Sequence, residues 1–270
     1  MTSARPDNKK NTVQSLAKGL KILTTFSPGE PELTMAEIAR RADVDNATAF
    51  RYLNTLVDLG YVRRVPDSRL FSLTLQVLDL GFNAIAHSNL RTVAHPILRE
   101  LVGEVNEAAS IGVLDGTEIC YVERFQRGLT RMGVDIRIGT RVPACTTVIG
   151  HSLLAWLPTS RQQAIFNGHR AEKRTDRHPV DPETLLQRLT EVRARGYSIS
   201  LPDQFQGFYA IAAPILDQDQ VPIGAISTAA PAISMTLEQF EAKSAGPVCH
   251  AARQLGTALQ SLGGFAHLDP

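Results

Sequence analysis

The sequence lacks the features that mark secreted, membrane and zinc-binding proteins. Its three cysteines, Cys120, Cys145 and Cys249, lie far apart and form no C-x-x-C pair. We therefore expect neither a disulfide framework nor a zinc site, and such cysteines suit a reducing compartment. The start MTSARPDNKKN has no apolar core, and no apolar run approaches the roughly 20 residues that cross a bilayer. These absences predict a cytoplasmic protein without a membrane segment.

Motifs for cofactors and for catalysis are also missing. The sequence has no G-x-G-x-x-G or Walker loop, and its histidines show no H-x-x-x-H or H-E-x-x-H spacing. Ser227 is not part of a G-x-S-x-G elbow. Cys145 and His151 could suggest a nucleophile and its base, but nothing marks a third, orienting group, so we prefer a core or pocket cysteine. We expect no cofactor, no metal and no enzymatic activity.

The net charge of +1 hides a difference between the two ends of the chain. Residues 1–73 hold 11 Lys and Arg against 8 Asp and Glu, and the remaining residues hold 17 against 19. The first part therefore carries +3 and the rest −2. A basic N-terminal part suits a nucleic-acid-binding module. Splits of this size also arise by chance, so the charge only supports what the motifs indicate.

Two short helices are predicted between residues 34 and 59. Thr34 followed by Glu37 forms a capping box, which starts a helix that spans residues 35–42. After a three-residue connection, Asp45 can cap a second helix over Asn46–Leu59. Two short helices joined by a tight turn are typical of the helix-turn-helix unit, whose second helix enters the major groove of DNA.

The second of these helices has two distinct faces at about 100° per residue. The face predicted to pack inward comprises Ala49, Phe50, Leu53, Leu56 and Val57. The outer face comprises Ala47, Thr48, Arg51, Asn54 and Thr55. A small, polar, singly basic face suits a major groove, because bulky or acidic groups would block base edges or repel phosphates. The alternative interpretation is a solvated amphipathic helix.

A basic β-hairpin follows the second helix. Residues 61–65 and 69–73 alternate as strands around a Pro-Asp-Ser turn, and Arg63, Arg64 and Arg69 lie at or near the tip. A basic hairpin directly after a recognition helix is a wing, placed to contact phosphates or the minor groove. The order of elements therefore predicts a winged helix-turn-helix.

The pattern beyond the hairpin predicts a second domain. We divide the chain into a disordered tail (1–11), a mainly α winged helix-turn-helix domain (12–73), a linker helix (74–90) and an α+β domain (91–264). The linker helix has apolar residues on more than one face, and a second copy of the chain is one candidate to cover them.

Within the second domain, Asp115-Gly116 joins two predicted strands. Helices are expected over 147–157 and 182–195, and strands over 209–216 and 222–230. A long terminal helix over 235–262 is expected to break near Gly246-Pro247.

The segments VQSLAKGLKILTTF, LTMAEIARRADVDNATAFRYLNTLVDLGYV and RLFSLTLQVLDLG closely resemble the N-terminal half of the IclR family of bacterial regulators. Asp43-Val44 departs from the Gly-Leu of many relatives. The segments IGTRVPACTTVIGHSLLAWLP, YAIAAPILD and IGAISTAAP resemble the GAF-like effector domain of that family. The first of these is most similar to the branch that regulates aromatic-acid catabolism through the β-ketoadipate pathway, with effectors such as 4-hydroxybenzoate, protocatechuate or their ring-cleavage products.

The resemblance implies a ligand-responsive activator or repressor whose partners are double-stranded operator DNA, a small organic acid and a second copy of the chain. The alternative is an enzyme that acts on a small carboxylate and carries a regulatory DNA-binding head. We expect a homodimer or a dimer of dimers that reads inverted half-sites, and RNA polymerase is a further candidate partner. The predicted DNA-binding residues are Thr34, Asn46, Ala47, Thr48, Arg51, Tyr52, Thr55, Arg63, Arg64 and Arg69.

The effector-binding residues that the resemblance implies lie around a helix start, where free N–H groups suit an anion, and on two late strands. They are Cys145, Val148, Ile149, Asp203, Ala210, Ser227 and Ala229. Ala210 stands where some relatives have Cys or Ser, and Ala229 where many have a second Ser, so we expect a more apolar pocket than one for glyoxylate or pyruvate. His151 replaces a common basic residue, and we prefer a partly exposed helix position to a ligand contact. Arg141 is a candidate counter-ion for the ligand, although we prefer a surface position.

Overall fold

A computed structural model of the chain describes residues 12–27, 29–86, 90–105, 108–127, 136–171, 181–200 and 207–261. The chain divides into two compact units, residues 1–86 and 87–270. Within the described residues, no helix combines the length and the apolar character that crossing a membrane requires.

The first unit is a winged helix-turn-helix. Its elements are α1 (Gln14–Leu23), β1 (Glu32–Thr34), α2 (Met35–Ala42), α3 (Asn46–Asp58), β2 (Val62–Arg64), β3 (Leu70–Leu73) and α4 (Val77–Ala86). The three strands form an antiparallel sheet in the order β1-β3-β2. The hairpin β2–β3 was expected, whereas β1 adds a third strand that the sequence analysis missed.

Local capping fixes the two helices of the helix-turn-helix, as the sequence predicts. The Thr34 backbone N–H donates to Glu37 Oε2 at 2.8 Å, and the Glu37 N–H donates to Thr34 Oγ1 at 3.3 Å. Asp43 ends α2 with φ of 56°, in the left-handed region that Asp tolerates better than most residues. Asp45 then accepts the Thr48 N–H at 2.8 Å and starts α3. Side-chain caps thus set the length of the turn.

The core of the first unit is small. Its main buried side chains are Ile22, Leu33, Ile38, Leu53, Val62 and Phe71. The prediction that Phe50 packs inward is wrong, because half of its surface is exposed. Ala49 and Leu53 face the core, and Phe50 lies about 100° further around the helix than Ala49, where the core offers it no neighbours.

The second unit is an α+β domain with a six-stranded sheet. Its elements are α5 (Leu90–Val105), β4 (Ala108–Asp115), β5 (Glu118–Gln126), β6 (Arg141–Pro143), α6 (Val148–Leu154), α7 (Thr159–Ala171), α8 (Pro182–Arg195), β7 (Ser198–Ile199), β8 (Phe208–Leu216), β9 (Pro222–Pro231) and α9 (Leu237–Ser261). The strands are antiparallel in the order β6-β5-β4-β9-β8-β7.

Helices cover both faces of this sheet. On one face α5 and α9 pack over a core that includes Leu98, Ile211, Ile226, Phe240 and Leu255. On the other face α6 and α8 cover a core that includes Ile119, Ile149, Leu153, Leu189 and Ala225. Alternation along each strand therefore decides which of two cores a side chain enters.

Several sequence predictions for this unit need correction. The expected break of the terminal helix is wrong, since α9 continues through Pro247. Buried Val248 and Leu255 hold that part of α9 against the sheet core, and such packing offsets the cost of an internal proline, about 3 kcal/mol. The elements α7, β6 and β7 were not predicted from the sequence. The linker helix expected over 74–90 coincides with α4 as far as Ala86, and its end at residues 87–89 lies outside the described residues.

Candidate functional site

The exposed face of α3 is the first candidate site. Asn46, Ala47, Phe50, Arg51 and Thr55 are exposed on this helix, and Thr48 and Asn54 are half-buried beside them. The Thr48 hydroxyl donates to the Asp45 carboxylate at 2.7 Å. Within the described residues, the Arg51 guanidinium makes no hydrogen bond or ion pair. The face thus presents one unpaired cation among small, polar and aromatic side chains.

The hairpin of the wing is tied to α3 by Arg64. Its Nη2 donates to Asn54 Oδ1 at 2.7 Å, and its guanidinium lies 4.9 Å from the centre of the Phe71 ring. Arg63 and Arg69 are exposed and form no ion pair with any residue that the structure describes. Of the three hairpin arginines, Arg64 therefore has a structural role, and the other two are open to solvent.

Two of the predicted DNA-binding residues lie away from this face. The Thr34 hydroxyl is occupied by the capping box, where it donates to Glu37 Oε2 at 2.7 Å. Tyr52 is half-buried and packs against the core of the first unit. Both residues shape the helix-turn-helix from within.

A cavity in the second unit is the second candidate site. It lies on the α6 side of the sheet and encloses about 110 Å³. Its apolar lining comprises Ala108, Ile136, Val142, Val148, Phe208, Ala210 and Ala229. Its polar lining comprises Ser110, Tyr121, Arg124, Thr147, Ser227 and Thr228. The size is of the order of a single aromatic ring, because an apolar cavity of roughly 150 Å³ holds benzene.

Four of the seven effector residues that the sequence suggested line this cavity: Val148, Ala210, Ser227 and Ala229. Cys145 and Ile149 instead lie in the core between α6 and the sheet, each at most 1 % exposed. Ile149 follows Val148 on α6 and points about 100° away from it, so Val148 reaches the cavity and Ile149 does not. Cys145 lies in the short turn before α6 and is buried in the core there. Asp203 lies outside the described residues.

The sequence analysis missed the two lining residues with the strongest polar chemistry, Tyr121 and Arg124. Arg124 is the only cation among the described lining residues. Tyr121 is 6 % exposed, and burial raises the pKa of its phenol to about 12, so that the hydroxyl stays protonated and can donate a hydrogen bond. Both residues lie on β5, whose sequence reads as an ordinary strand.

A β-bulge brings these two residues to the same face. Ile111 pairs with Glu123 and Gly112 pairs with Tyr121, so that Val122 has no partner on β4. Residues three apart on a regular strand point to opposite faces, and an extra residue restores them to one face. Tyr121 and Arg124 consequently both line the cavity, while Val122 packs on the α5 side.

Cys145 and His151 do not form a nucleophile and base. The His151 ring bonds through Nε2 to the backbone oxygen of Cys145 at 2.8 Å. Burial raises the pKa of the Cys145 thiol to about 11, and burial together with the nearby Arg188 lowers the pKa of His151 to about 4. The thiol therefore stays protonated. His151 is only 2 % exposed, which corrects the expectation of a partly exposed position.

Arg141 is half-exposed and lies outside the cavity lining. It pairs with the carboxylates of Asp115 and Glu118, the latter at 3.5 Å. Its surface position agrees with the preferred interpretation of the sequence.

Two family profiles match the chain. The IclR helix-turn-helix domain matches residues 15–66, and the bacterial transcriptional regulator IclR C-terminal domain matches residues 82–257. Together they span both units.

Named relatives extend along most of the chain. It is 31% identical over 241 residues to the transcriptional regulator KdgR of Escherichia coli K12, covering 89% of this chain and 91% of that protein. It is also 31% identical to the Pca regulon regulatory protein of Pseudomonas putida, over 89% of this chain and 82% of that protein. A third relative at 31% is the p-hydroxybenzoate hydroxylase transcriptional activator of Acinetobacter baylyi, over 80% of each chain.

A solved structure shares the fold. An IclR homologue from Microbacterium hydrocarbonoxydans, complexed with 4-hydroxybenzoate, superposes with a TM-score of 0.76 at 24% identity, over 92% of this chain and 99% of that one.

Proposed function

The chain belongs to the IclR family of ligand-responsive, DNA-binding transcriptional regulators, and on that premise we propose that it controls a catabolic operon in response to an aromatic acid. The observation that carries the proposal is the cavity of the second unit, whose described lining is mostly apolar and holds one arginine, Arg124. The IclR family also includes regulators that respond to other small molecules, so the pocket rather than the family supports the effector class.

The operator is read by the first unit. We assign the exposed face of α3 to the major groove, where Arg51 and Asn46 reach base edges or flanking phosphates. Phe50 joins this face, since an exposed aromatic ring can pack on a thymine methyl group. Arg63 and Arg69 hold the DNA backbone from the wing. Arg64 positions the wing through its bond to Asn54.

The chemistry of the cavity favours an aromatic acid over a short polar one. Its walls are mostly apolar, with Ala210 and Ala229 at two of the late-strand positions. A ring can pack on such walls, and a carboxylate needs a cation or N–H donors when it leaves water. Phe208 and Tyr121 add aromatic surface. One relative is named as the activator of p-hydroxybenzoate hydroxylase and another for the Pca regulon, while KdgR matches at the same identity.

A second copy of the chain completes the DNA-binding form. Val13, Leu16 and Leu20 follow helical spacing in and just before α1, and each is more than half exposed in the single chain. Contiguous apolar surface of this kind marks an interaction site. A homodimer would place two copies of α3 on inverted half-sites, and dimers can pair further into a dimer of dimers.

A ligand panel tests the effector class. Thermal unfolding of the full chain is measured with 4-hydroxybenzoate, protocatechuate, glyoxylate and pyruvate, and operator binding is then measured with and without each acid. We expect the aromatic acids to stabilise the protein by about 3 kcal/mol at a hundred-fold excess over Kd, and to change operator affinity. The acid should be recovered unchanged. Stabilisation by glyoxylate alone would refute the proposal, and consumption of the acid would favour the enzyme alternative.

A further inference from the structure

We infer that Arg124 anchors the carboxylate of the effector, and that the β-bulge at Val122 is the structural device that delivers this cation to the cavity. The inference rests on the proposed function, because it names the residue that recognises the acid group there. None of the seven effector-binding residues that the resemblance implied carries a positive charge, and Arg141, the candidate counter-ion, lies outside the cavity lining. Arg124 supplies the charge that they lack.

Ser110 and Gln126 both hold the guanidinium of Arg124 in place. Its Nη1 donates to Ser110 Oγ at 2.8 Å, and its Nη2 donates to Gln126 Oε1 at 3.3 Å. Ser110 lies on β4, directly opposite Arg124 in the register, and also lines the cavity. A guanidinium oriented in this way loses little further freedom when a planar carboxylate binds. It is a pre-organised partner for the acid group.

The bulge separates two opposite charges that are neighbours in the sequence. Glu123 is 3 % exposed, and its Oε2 atom lies 3.5 Å from the Nε atom of Arg91 on α5. On a regular strand the face of Tyr121 would be shared by Glu123, two residues on, and Arg124 would point to the other side. The cavity would then hold a carboxylate that repels an acidic effector. With the bulge, Arg124 lines the cavity and the Glu123 carboxylate faces α5.

This placement predicts what the pocket discriminates. A carboxylate that pairs with a guanidinium in a partly buried site forms two charge-assisted hydrogen bonds, which are stronger than bonds between neutral groups. A neutral amide of the same ring keeps the apolar contacts and loses this pairing. The pocket should therefore prefer an acid to its amide, and the preference should depend on Arg124.

The test is a titration of the full-length protein with matched ligands. The probes are 4-hydroxybenzoate and protocatechuate, each compared with its neutral amide, and the variants are Arg124→Gln and Ser110→Ala. The control is Arg141→Gln, which removes an arginine of the same sheet that does not line the cavity. For the wild type and the control we expect the acid to bind at least about ten-fold more tightly than the amide. The affinity of Arg124→Gln for the acid should be lower by about ten-fold or more, while its affinity for the amide should stay the same.

Ser110→Ala keeps the charge of Arg124 and removes one hydrogen bond that orients its guanidinium. The affinity for the acid should therefore fall severalfold, and the affinity for the amide should not change. Fluorescence of the single tryptophan, Trp156, reports whether each variant is folded. If Arg124→Gln does not fold, Ser110→Ala decides the question alone. If the folded variants prefer the acid to the amide as strongly as the wild type does, Arg124 does not anchor the carboxylate. The proposed function would still stand in that case. Failure of the wild type to bind either acid would instead refute the proposed function.

Discussion

Arg51 is the exposed cation of the predicted recognition helix, and its side chain has no partner within the described residues. Its loss therefore costs the fold little, because no internal contact is broken. Any effect of its removal on DNA binding reports the contact itself. Removal of Arg64 would break internal contacts as well, since Arg64 bonds to Asn54 and stacks over Phe71.

We expect Arg51→Ala to lower operator affinity by about ten-fold or more, the cost of losing a base or phosphate contact of an arginine. Gel-shift titration at fixed salt measures the change, and thermal unfolding checks that the protein remains folded. Arg161→Ala, which removes an exposed arginine from α7 of the second unit, serves as the control. An unchanged gel shift for Arg51→Ala would refute the assignment of this residue to DNA.

His151 makes the stability of the second unit depend on pH. Its pKa falls from 6.5 to about 4 in the folded state, mainly because burial disfavours the charged ring, and Arg188 adds to the effect. Between these two values the unfolded chain binds more protons than the folded one, so stability falls as the pH is lowered through this window. The stabilising contribution is complete above pH 6.5.

From pH 7 to pH 5 we expect the wild type to lose about 2 kcal/mol that His151→Gln does not lose. Glutamine does not titrate, and its amide can still donate to the Cys145 carbonyl. Urea unfolding followed by Trp156 fluorescence at both pH values measures the difference. Equal losses in the two proteins would show that His151 is not the group that titrates.

Four residues that line the pocket were suggested by the family resemblance, and no strand or helix pattern marked them. Val148, Ala210, Ser227 and Ala229 lie where the resemblance suggested. Arg124 was not predictable, because no residue type in VERF marks the unpaired position of a bulge. Phe50 was misplaced for a related reason, since helical spacing gives angles around the axis and says nothing about where the core ends.

At the scale of elements, close approach of backbone segments fixes the position of α6. A Cβ atom on Gly150 would lie 2.0 Å from the backbone oxygen of Ala144, in the turn that precedes the helix. Only glycine allows this approach. Gly103, an exposed residue inside α5, has open space where its Cβ would be.

We therefore expect opposite effects of the same substitution in the two helices. Gly150→Ala should destabilise the second unit by about 1–3 kcal/mol or more, because backbone cannot move aside as a flexible side chain can. Gly103→Ala should stabilise it by roughly 0.5–1 kcal/mol, since alanine restricts the unfolded chain and favours the helix. Urea unfolding monitored by Trp156 measures both. A neutral Gly150→Ala would mean that α6 can shift away from the turn.

Helices with side-chain caps were the elements best predicted from sequence. The bounds of α2, α3 and α8 follow the caps at Thr34, Asp45 and Asp181. The short strands β1, β6 and β7 carry two or three residues each, too few for alternation to be recognised. They form because each pairs with the edge of a neighbouring strand, and that contact belongs to the tertiary structure and not to the local sequence. Pro247 shows the converse, where packing overrides a strong local signal.

For the whole molecule, each unit has its own core, and the first unit leaves apolar surface uncovered. Leu16 and Leu20 are 64 % and 52 % exposed on α1, while Ile22 on the same helix is fully buried. Substituting the exposed pair therefore leaves the core of the unit intact. Full burial of an exposed leucine contributes about 1.5–3 kcal/mol, so these half-exposed leucines, four across a twofold interface, would supply part of the roughly 8 kcal/mol that a micromolar dimer needs.

We expect the double variant Leu16→Glu, Leu20→Glu to be monomeric at concentrations where the wild type is dimeric, because four carboxylates would meet in the interface. Sedimentation velocity measures this change. Affinity for an operator with two half-sites should fall, while the weak affinity for a single half-site should stay the same, since the α3 face is untouched. Leu186→Glu, at an exposed leucine of α8 in the second unit, is the control. If the double variant remains dimeric, the copies pair through another surface, and the apolar stripe of α1 then needs a different partner.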